Sequence, residues 1–155
     1  MAQQLWLLRH GEAVPHDVKP DAKRELTERG RDQSRAAGRA LDALAIEVHL
    51  CFTSPKVRAR ETAELACAAL GIEPVDEDSL AEGFDGRGAL ALMAAARPDQ
   101  RVLVVGHEPD FSQVVHDLTG ARVDFKKGGI AGVRLDGSRG ELIALLRPRE
   151  LDRIR

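Results

Sequence analysis

Tyrosine is absent from this 155-residue chain, tryptophan occurs once and phenylalanine four times. So few aromatics leave no platform on which unpaired bases could stack. Neither charge dominates: 23 Lys and Arg stand against 25 Asp and Glu, for a net charge of -2. No overall field therefore draws the chain to nucleic acid or to an anionic membrane. No window approaches the roughly 18 apolar residues of a spanning helix. The first residues carry no basic stretch followed by an apolar one, the pattern of a secretory leader. These features predict a cytoplasmic protein with no nucleic-acid or membrane partner. Cysteine is limited to Cys51, in strand-like sequence, and Cys67, in helix-like sequence. Both read as small buried residues rather than a disulfide. His107-Glu108 is not followed by a histidine at the zinc-protease spacing, and no close cysteine pair exists, so no metal pattern is present.

What remains is ordinary globular material, 43% hydrophobic and 31% charged, of a length that suits one domain over 1–155. Leu5-Trp6-Leu7-Leu8 predicts a buried strand. A polar loop over 12–26, with Pro15 and Pro20, is long enough to carry function. Thr27 then predicts an N-cap for a helix from Glu28 to about Ala45, with Ala37, Ala40, Leu41 and Leu44 on its apolar face. Val48 to Phe52 predicts a second strand. Ser54 as N-cap and Pro55 as first helical residue predict a helix that ends at Gly71. Glu73 to Leu80 reads as extended, 83–88 as a glycine-rich loop and Ala89 to Ala96 as a short helix. Arg101 to Val105 is a bare Val/Leu strand, suited to a sheet covered on both faces. Pro109 opens a helix to about Leu118. Gly129 to Leu135 and Glu141 to Leu146 predict a hairpin across Asp136-Gly137. The alternation predicts a three-layer α/β/α sandwich whose central sheet is mostly parallel, with an antiparallel edge.

Three strand ends then face one rim: Arg9-His10, Ser54 with Arg58, and Gly106-His107. Ligands of open α/β sheets bind at that rim. Arg9 beside His10, with Gly11 letting backbone come close, suits a phosphoryl group. Arg58, in the first turn of its helix, adds a guanidinium fork where unpaired N–H groups already favour anions. Two arginines and two histidines around one point describe a pocket for a phosphoryl dianion. Arg60, His49 and His116 read as packed or solvated side chains, Lys126 and Lys127 as a solvated turn or as cations flanking an anionic substrate, and Gly128-Gly129 as a device of backbone geometry.

Four motifs in order now carry a resemblance: Arg9-His10-Gly11-Glu12, Leu26-Thr27-x-x-Gly30, Ser54-Pro55-x-x-Arg58-Ala59-x-x-Thr62-Ala63, and Val105-Gly106-His107-Glu108-Pro109. They resemble the histidine phosphatase superfamily, also called phosphoglycerate mutase-like, over nearly the whole chain. The short length, Gly-His-Glu-Pro and Lys127-Gly128-Gly129-Ile130 are similar to its phosphohistidine phosphatase, SixA-like, branch. The resemblance implies a metal-independent phosphatase without a cofactor, acting on a phosphohistidine of a partner protein or on a small phosphate ester. It implies His10 as nucleophile, forming a phosphohistidine. Arg9 and Arg58 would clamp the equatorial oxygens, and a protonated His107 would add positive charge. Leu80-Ala81-Glu82 matches a Leu-x-Glu pattern that makes Glu82 a candidate proton donor to a leaving alkoxide. Gly11 and Ser54 are candidate contacts to the phosphoryl group. His16 departs from the family pattern, standing where many members have an asparagine or serine that touches the phosphate, and is a candidate donor to the phosphoryl group in its place. Arg24 matches a position where the short branch often has arginine, able to steer an acidic substrate or to stand exposed without a role. A mutase is disfavoured by length; a non-catalytic phospho-binding module would lack the nucleophile that His10 provides.

Overall fold

The computed structural model describes residues 2–155. Six strands form one sheet: β1 (Gln3–Arg9), β2 (Leu50–Thr53), β3 (Pro74–Asp76), β4 (Arg101–Gly106), β5 (Ile130–Asp136) and β6 (Arg139–Leu146), in the order β3-β2-β4-β1-β5-β6. The pairs β2–β3, β2–β4 and β1–β4 are parallel, whereas β5 runs antiparallel to both β1 and β6. The predicted hairpin is therefore present. Its first strand is the antiparallel one and its second forms the edge. Gly137, at φ +62°, makes the turn, a conformation that glycine adopts without strain.

Side chains alternate across the sheet as period-two geometry requires. Leu5 and Leu7 of β1, with Val102 and Val104 of β4, enter one core; Trp6 and Leu8, with Leu103 and Val105, enter the other. This two-sided burial explains why both strands read as continuous apolar runs. Helices α3 (Gly86–Ala94) and α4 (Asp110–Thr119) cover the first face, through Ala89, Met93, Phe111, Val114 and Val115. Helices α1 (Glu28–Ala43) and α2 (Val57–Leu70), with the short α5 (Pro148–Leu151), cover the second.

Several boundaries differ from expectation. Leu44 lies just past α1 and is 45% exposed, outside the buried face. Ser54-Pro55 does not open α2. The helix starts two residues later, capped at Lys56, because the Ser54 hydroxyl is turned to the C-terminal rim of the sheet and accepts the Lys56 N–H at 3.2 Å. The extended stretch at 73–80 is split into β3 and a turn of 3-10 helix over Asp78–Leu80. Part of the expected glycine-rich loop is already helix, since Asp85 caps α3 by accepting from Gly88 N. Thr27, as expected, caps α1 by accepting from Gly30 N.

Small residues set how closely α1 and α2 approach. A Cβ on Gly38 would lie 2.4 Å from the Ala66 carbonyl oxygen of α2. Alanine is the better helix former by about 1 kcal/mol, but overpacking costs about 1–3 kcal/mol, and the obstacle here is backbone rather than a side chain that can turn away. Gly38→Ala is expected to lower the free energy of unfolding by about 1–2 kcal/mol in urea titrations; a variant as stable as the natural chain would show that the two helices separate freely.

Candidate active site

Hydrogen bonds continue the sheet one step beyond its strands. His10 N donates to Gly106 O at 3.0 Å, and Ser54 N donates to Val105 O at 3.0 Å. The ends of β1, β4 and β2 are thus held in register, which brings His10, His107 and Ser54 together at the C-terminal rim. The His10 and His107 rings lie 5.2 Å apart, centroid to centroid. Arg58 reaches over from α2, and its Nε stands 3.4 Å from His10 Nε2. Arg9 follows β1 and donates from Nη1 to Phe125 O at 2.7 Å.

The His10 imidazole is oriented through its other nitrogen. Nδ1 donates to the Gly11 carbonyl at 2.7 Å. With the proton there, Nε2 keeps its lone pair, and that lone pair faces the Arg58 guanidinium. Burial lowers the His10 pKa to about 3, and the nearby charges of Arg58 and Arg9 push the same way. His107 is lowered to about 3, by burial first and then by Arg58 and Lys56. Both rings are therefore neutral in the free protein. The arginines that would hold an anion repel a proton from His107 while no anion is bound; the expectation of a protonated His107 concerns the site with its phosphoryl group. Ser54 Oγ lies 2.8 Å from His107 Nε2. Since Ser54 accepts from Lys56 N, its own hydroxyl proton is free to point at that nitrogen. Among the described residues, Arg9 Nε and His107 Nδ1 are buried with no protein partner, an uncommon state for buried polar atoms.

Gly11 also departs from expectation. Its N–H is not free for a ligand, because it donates to Thr62 Oγ1 at 3.1 Å, and a Cβ there would lie 2.5 Å from Gly30 O. Glycine is required for this close approach to α1, and its carbonyl fixes the tautomer of the His10 ring. Thr62 in turn donates to Arg58 O at 2.8 Å, tying the arginine's turn of helix to the residue after His10.

The loop over 12–26 supplies a group that sequence reasoning missed. Asp21 accepts from Lys56 at 3.2 Å, from Arg24 at 3.0 Å and from Arg58 Nη2 at 3.4 Å, while its backbone carbonyl accepts from Arg58 Nη1 at 2.7 Å. Partial burial would raise its pKa, but hydrogen bonds from Lys56 and Arg24 and the charge of Arg58 hold the carboxyl well below the usual range. Arg24 is no exposed loop residue. It is 6% accessible, with Nε donating to Val14 O at 2.7 Å. His16 is exposed and sits 3.3 Å from Arg24 Nη1. Asp21 and Lys56 left little trace in the sequence, one among several polar loop residues and the other a lysine beside a proline. Glu82 is exposed on the segment between the 3-10 turn and α3. Lysine and arginine side chains thus ring two neutral imidazoles, the arrangement expected where charge develops on a tetrahedral oxyanion.

The sequence matches the histidine phosphatase superfamily (branch 1) over residues 5–87. An uncharacterized protein of Picosynechococcus is 33% identical over 166 residues, covering 96% of this chain and 98% of that one. Phosphohistidine phosphatase SixA of Escherichia coli is 31% identical over 142 residues, 87% of each chain. A structure of the protein histidine phosphatase SixA complexed with tungstate superposes with a TM-score of 0.87 at 28% identity, over 96% of this chain and 99% of that one. The rim and its fold thus define a phosphatase of the phosphoglycerate mutase-like α/β class. The chain belongs to the histidine phosphatase superfamily, and its likeness is to the SixA branch. Among the described residues, no helix is long and apolar enough to cross a membrane.

Neutral buried imidazoles make stability depend on pH. Below the ordinary value of 6.5 and above about 3, the unfolded chain binds protons at His10 and His107 that the folded chain refuses. Stability therefore falls as pH drops through that window, by about 1.4 kcal/mol per pH unit for each ring. Asp21 acts in the same direction only below its ordinary value of 3.8. Urea midpoints between about pH 6.5 and pH 5 are expected to decline, and a His10→Asn, His107→Asn double variant should flatten the decline; equal slopes for both proteins would mean that the rings titrate normally.

Proposed function

We propose that the protein is a phosphohistidine phosphatase that works through a covalent phosphoryl group on His10. One observation carries this reading: the His10 Nε2 lone pair, fixed by the Nδ1–Gly11 bond, is set against the guanidinium of Arg58. A nucleophile and its cation clamp share one point, and burial keeps the nucleophile unprotonated at neutral pH. That a SixA relative was solved with tungstate, a tetrahedral oxyanion, supports a phosphoryl group in this place.

In this mechanism Arg9 and Arg58 bind the equatorial oxygens, and the two unpartnered donors at Arg9 Nε and His107 Nδ1 complete their coordination. A dianion bound there raises the pKa of His107, which then adds charge as the transition state forms. His10 Nε2 attacks phosphorus in line; the bond to the substrate nitrogen breaks as the new P–N bond forms. The leaving imidazole takes up a proton, so little acid help is needed. Water then attacks phosphorus, the bond to His10 breaks, and inorganic phosphate departs. Asp21 stands as the counter-anion of the empty clamp, holding Arg24, Lys56 and Arg58 in place. Free thiols at Cys51 and Cys67 suit a reducing, cytoplasmic setting.

A second reading, a phosphomonoesterase for small esters, would take Glu82 of Leu80-Ala81-Glu82 as the proton donor to the leaving alkoxide. Activity measured in EDTA on a phosphohistidine protein, phosphoramidate and common phosphate esters tests both. The first two substrates are expected to turn over and His10→Ala to abolish it, by about a thousandfold or more. Phosphate trapped under acid-free conditions should map to His10. Glu82→Gln should leave phosphoramidate cleavage intact while lowering any ester hydrolysis. Label on a serine, or activity that survives His10→Ala, would overturn the covalent assignment; efficient turnover of esters alone would favour the second reading.

A further inference from the structure

We propose that a basic groove beside the reaction centre binds a carboxylate-rich polypeptide segment next to the phosphorylated side chain of the substrate, an inference that rests on the protein-phosphatase reading above. The groove has a volume of about 510 Å³ and shares Arg9 with the catalytic rim. Arg29, Lys126, Lys127 and Arg149 add four further cations to its wall. Two acids line it too, and each is occupied: Glu12 by Thr27 Oγ1 at 2.9 Å and by Arg29 at 3.5 Å, Asp124 by Lys126 at 2.9 Å. Arg147, also on the wall, is held by Glu150 at 2.7 Å. Arg149 reaches that same carboxylate only at 3.8 Å and is 75% exposed. Among the described residues Arg9 and Lys127 make no ion pair with a carboxylate. Positive charge without an internal carboxylate partner thus remains at Arg9 and Lys127, and Arg149 has only a 3.8 Å contact to a carboxylate already held by Arg147.

The lysine turn is fixed relative to the nucleophile. Gly128 N donates to both Arg9 O, at 3.1 Å, and His10 O, at 3.0 Å, and Arg9 N donates to Gly129 O at 3.0 Å. Lys127 cannot leave the vicinity of His10 without breaking these bonds, so a ligand in the groove and a phosphoryl group on the rim are held at one spacing. The cations come from α1, the 126–129 turn and α5, and are spread along a groove. That spread suits several carboxylates met in succession along a chain, rather than one compact phosphate. A nucleic acid would bring comparable charge, but the one aromatic on the wall, Phe125, is buried and leaves no stacking surface.

The test uses a fluorescein-labelled Asp/Glu-rich peptide without a phosphoryl group and its Asn/Gln counterpart, followed by anisotropy. The acidic peptide is expected to bind about tenfold more tightly at low salt, with the gap closing as salt is raised. The Lys127→Glu, Arg149→Glu double variant should lose the preference while keeping the natural urea midpoint. Matched phosphohistidine peptides with acidic and neutral flanks should show the same preference in kcat/KM, and the ratio should approach one in the double variant. Equal binding of the two peptides, a preference that survives the double variant, or tighter binding of single-stranded DNA would overturn the groove assignment. Selective binding without phosphohistidine hydrolysis would instead overturn the substrate reading and leave the groove standing.

Discussion

The site depends on a short run of backbone hydrogen bonds. Where β1, β4 and β2 end, the ladder continues through His10 to Gly106 and through Ser54 to Val105. Because each strand is buried on both faces, register cannot slip by one residue without turning a row of leucines and valines to the wrong core. Packing inside the sheet is therefore what fixes the distance between two imidazoles at its rim.

The electrostatics of that rim have a cost. Arginine and lysine side chains crowd around rings that burial has already made reluctant to charge, and the protein offsets part of the repulsion with one carboxylate, Asp21. This carboxylate sits on a loop rather than on the sheet. A counter-ion carried by a loop can adjust when an anion arrives, whereas one on a strand could not. The His10 ring is handled differently, since the carbonyl of its own neighbour Gly11 fixes its tautomer. That carbonyl is held by chain connectivity, and the contact persists whatever the loop does.

Much of this is legible in the sequence. The bare apolar runs at 5–8 and 101–105 announce buried strands, and the polar groups that follow them mark the rim. Boundaries were read less well where a side chain left its local role for a distant partner. Ser54 looks like a cap, but its hydroxyl lies against His107, so the helix begins at Val57. Gly11 looks like a phosphate contact because glycine before a loop often is one; its N–H is taken by Thr62, fifty-one residues away. Arg24 was open between a steering role and none, and burial against Val14 and Asp21 places it inside the cationic cluster.

Sequence alone determined the fold class and the order of the elements, and it singled out His10, Arg9, Arg58 and His107 as candidates, since each follows from local periodicity or from a motif read within a few residues. Tertiary structure alone decided the protonation of the two histidines, the place of Asp21 and Lys56 among the arginines, and the basic groove that shares Arg9. Those properties arise from burial and from charges brought close by long-range packing, and neither quantity is defined along the chain until the sheet has assembled.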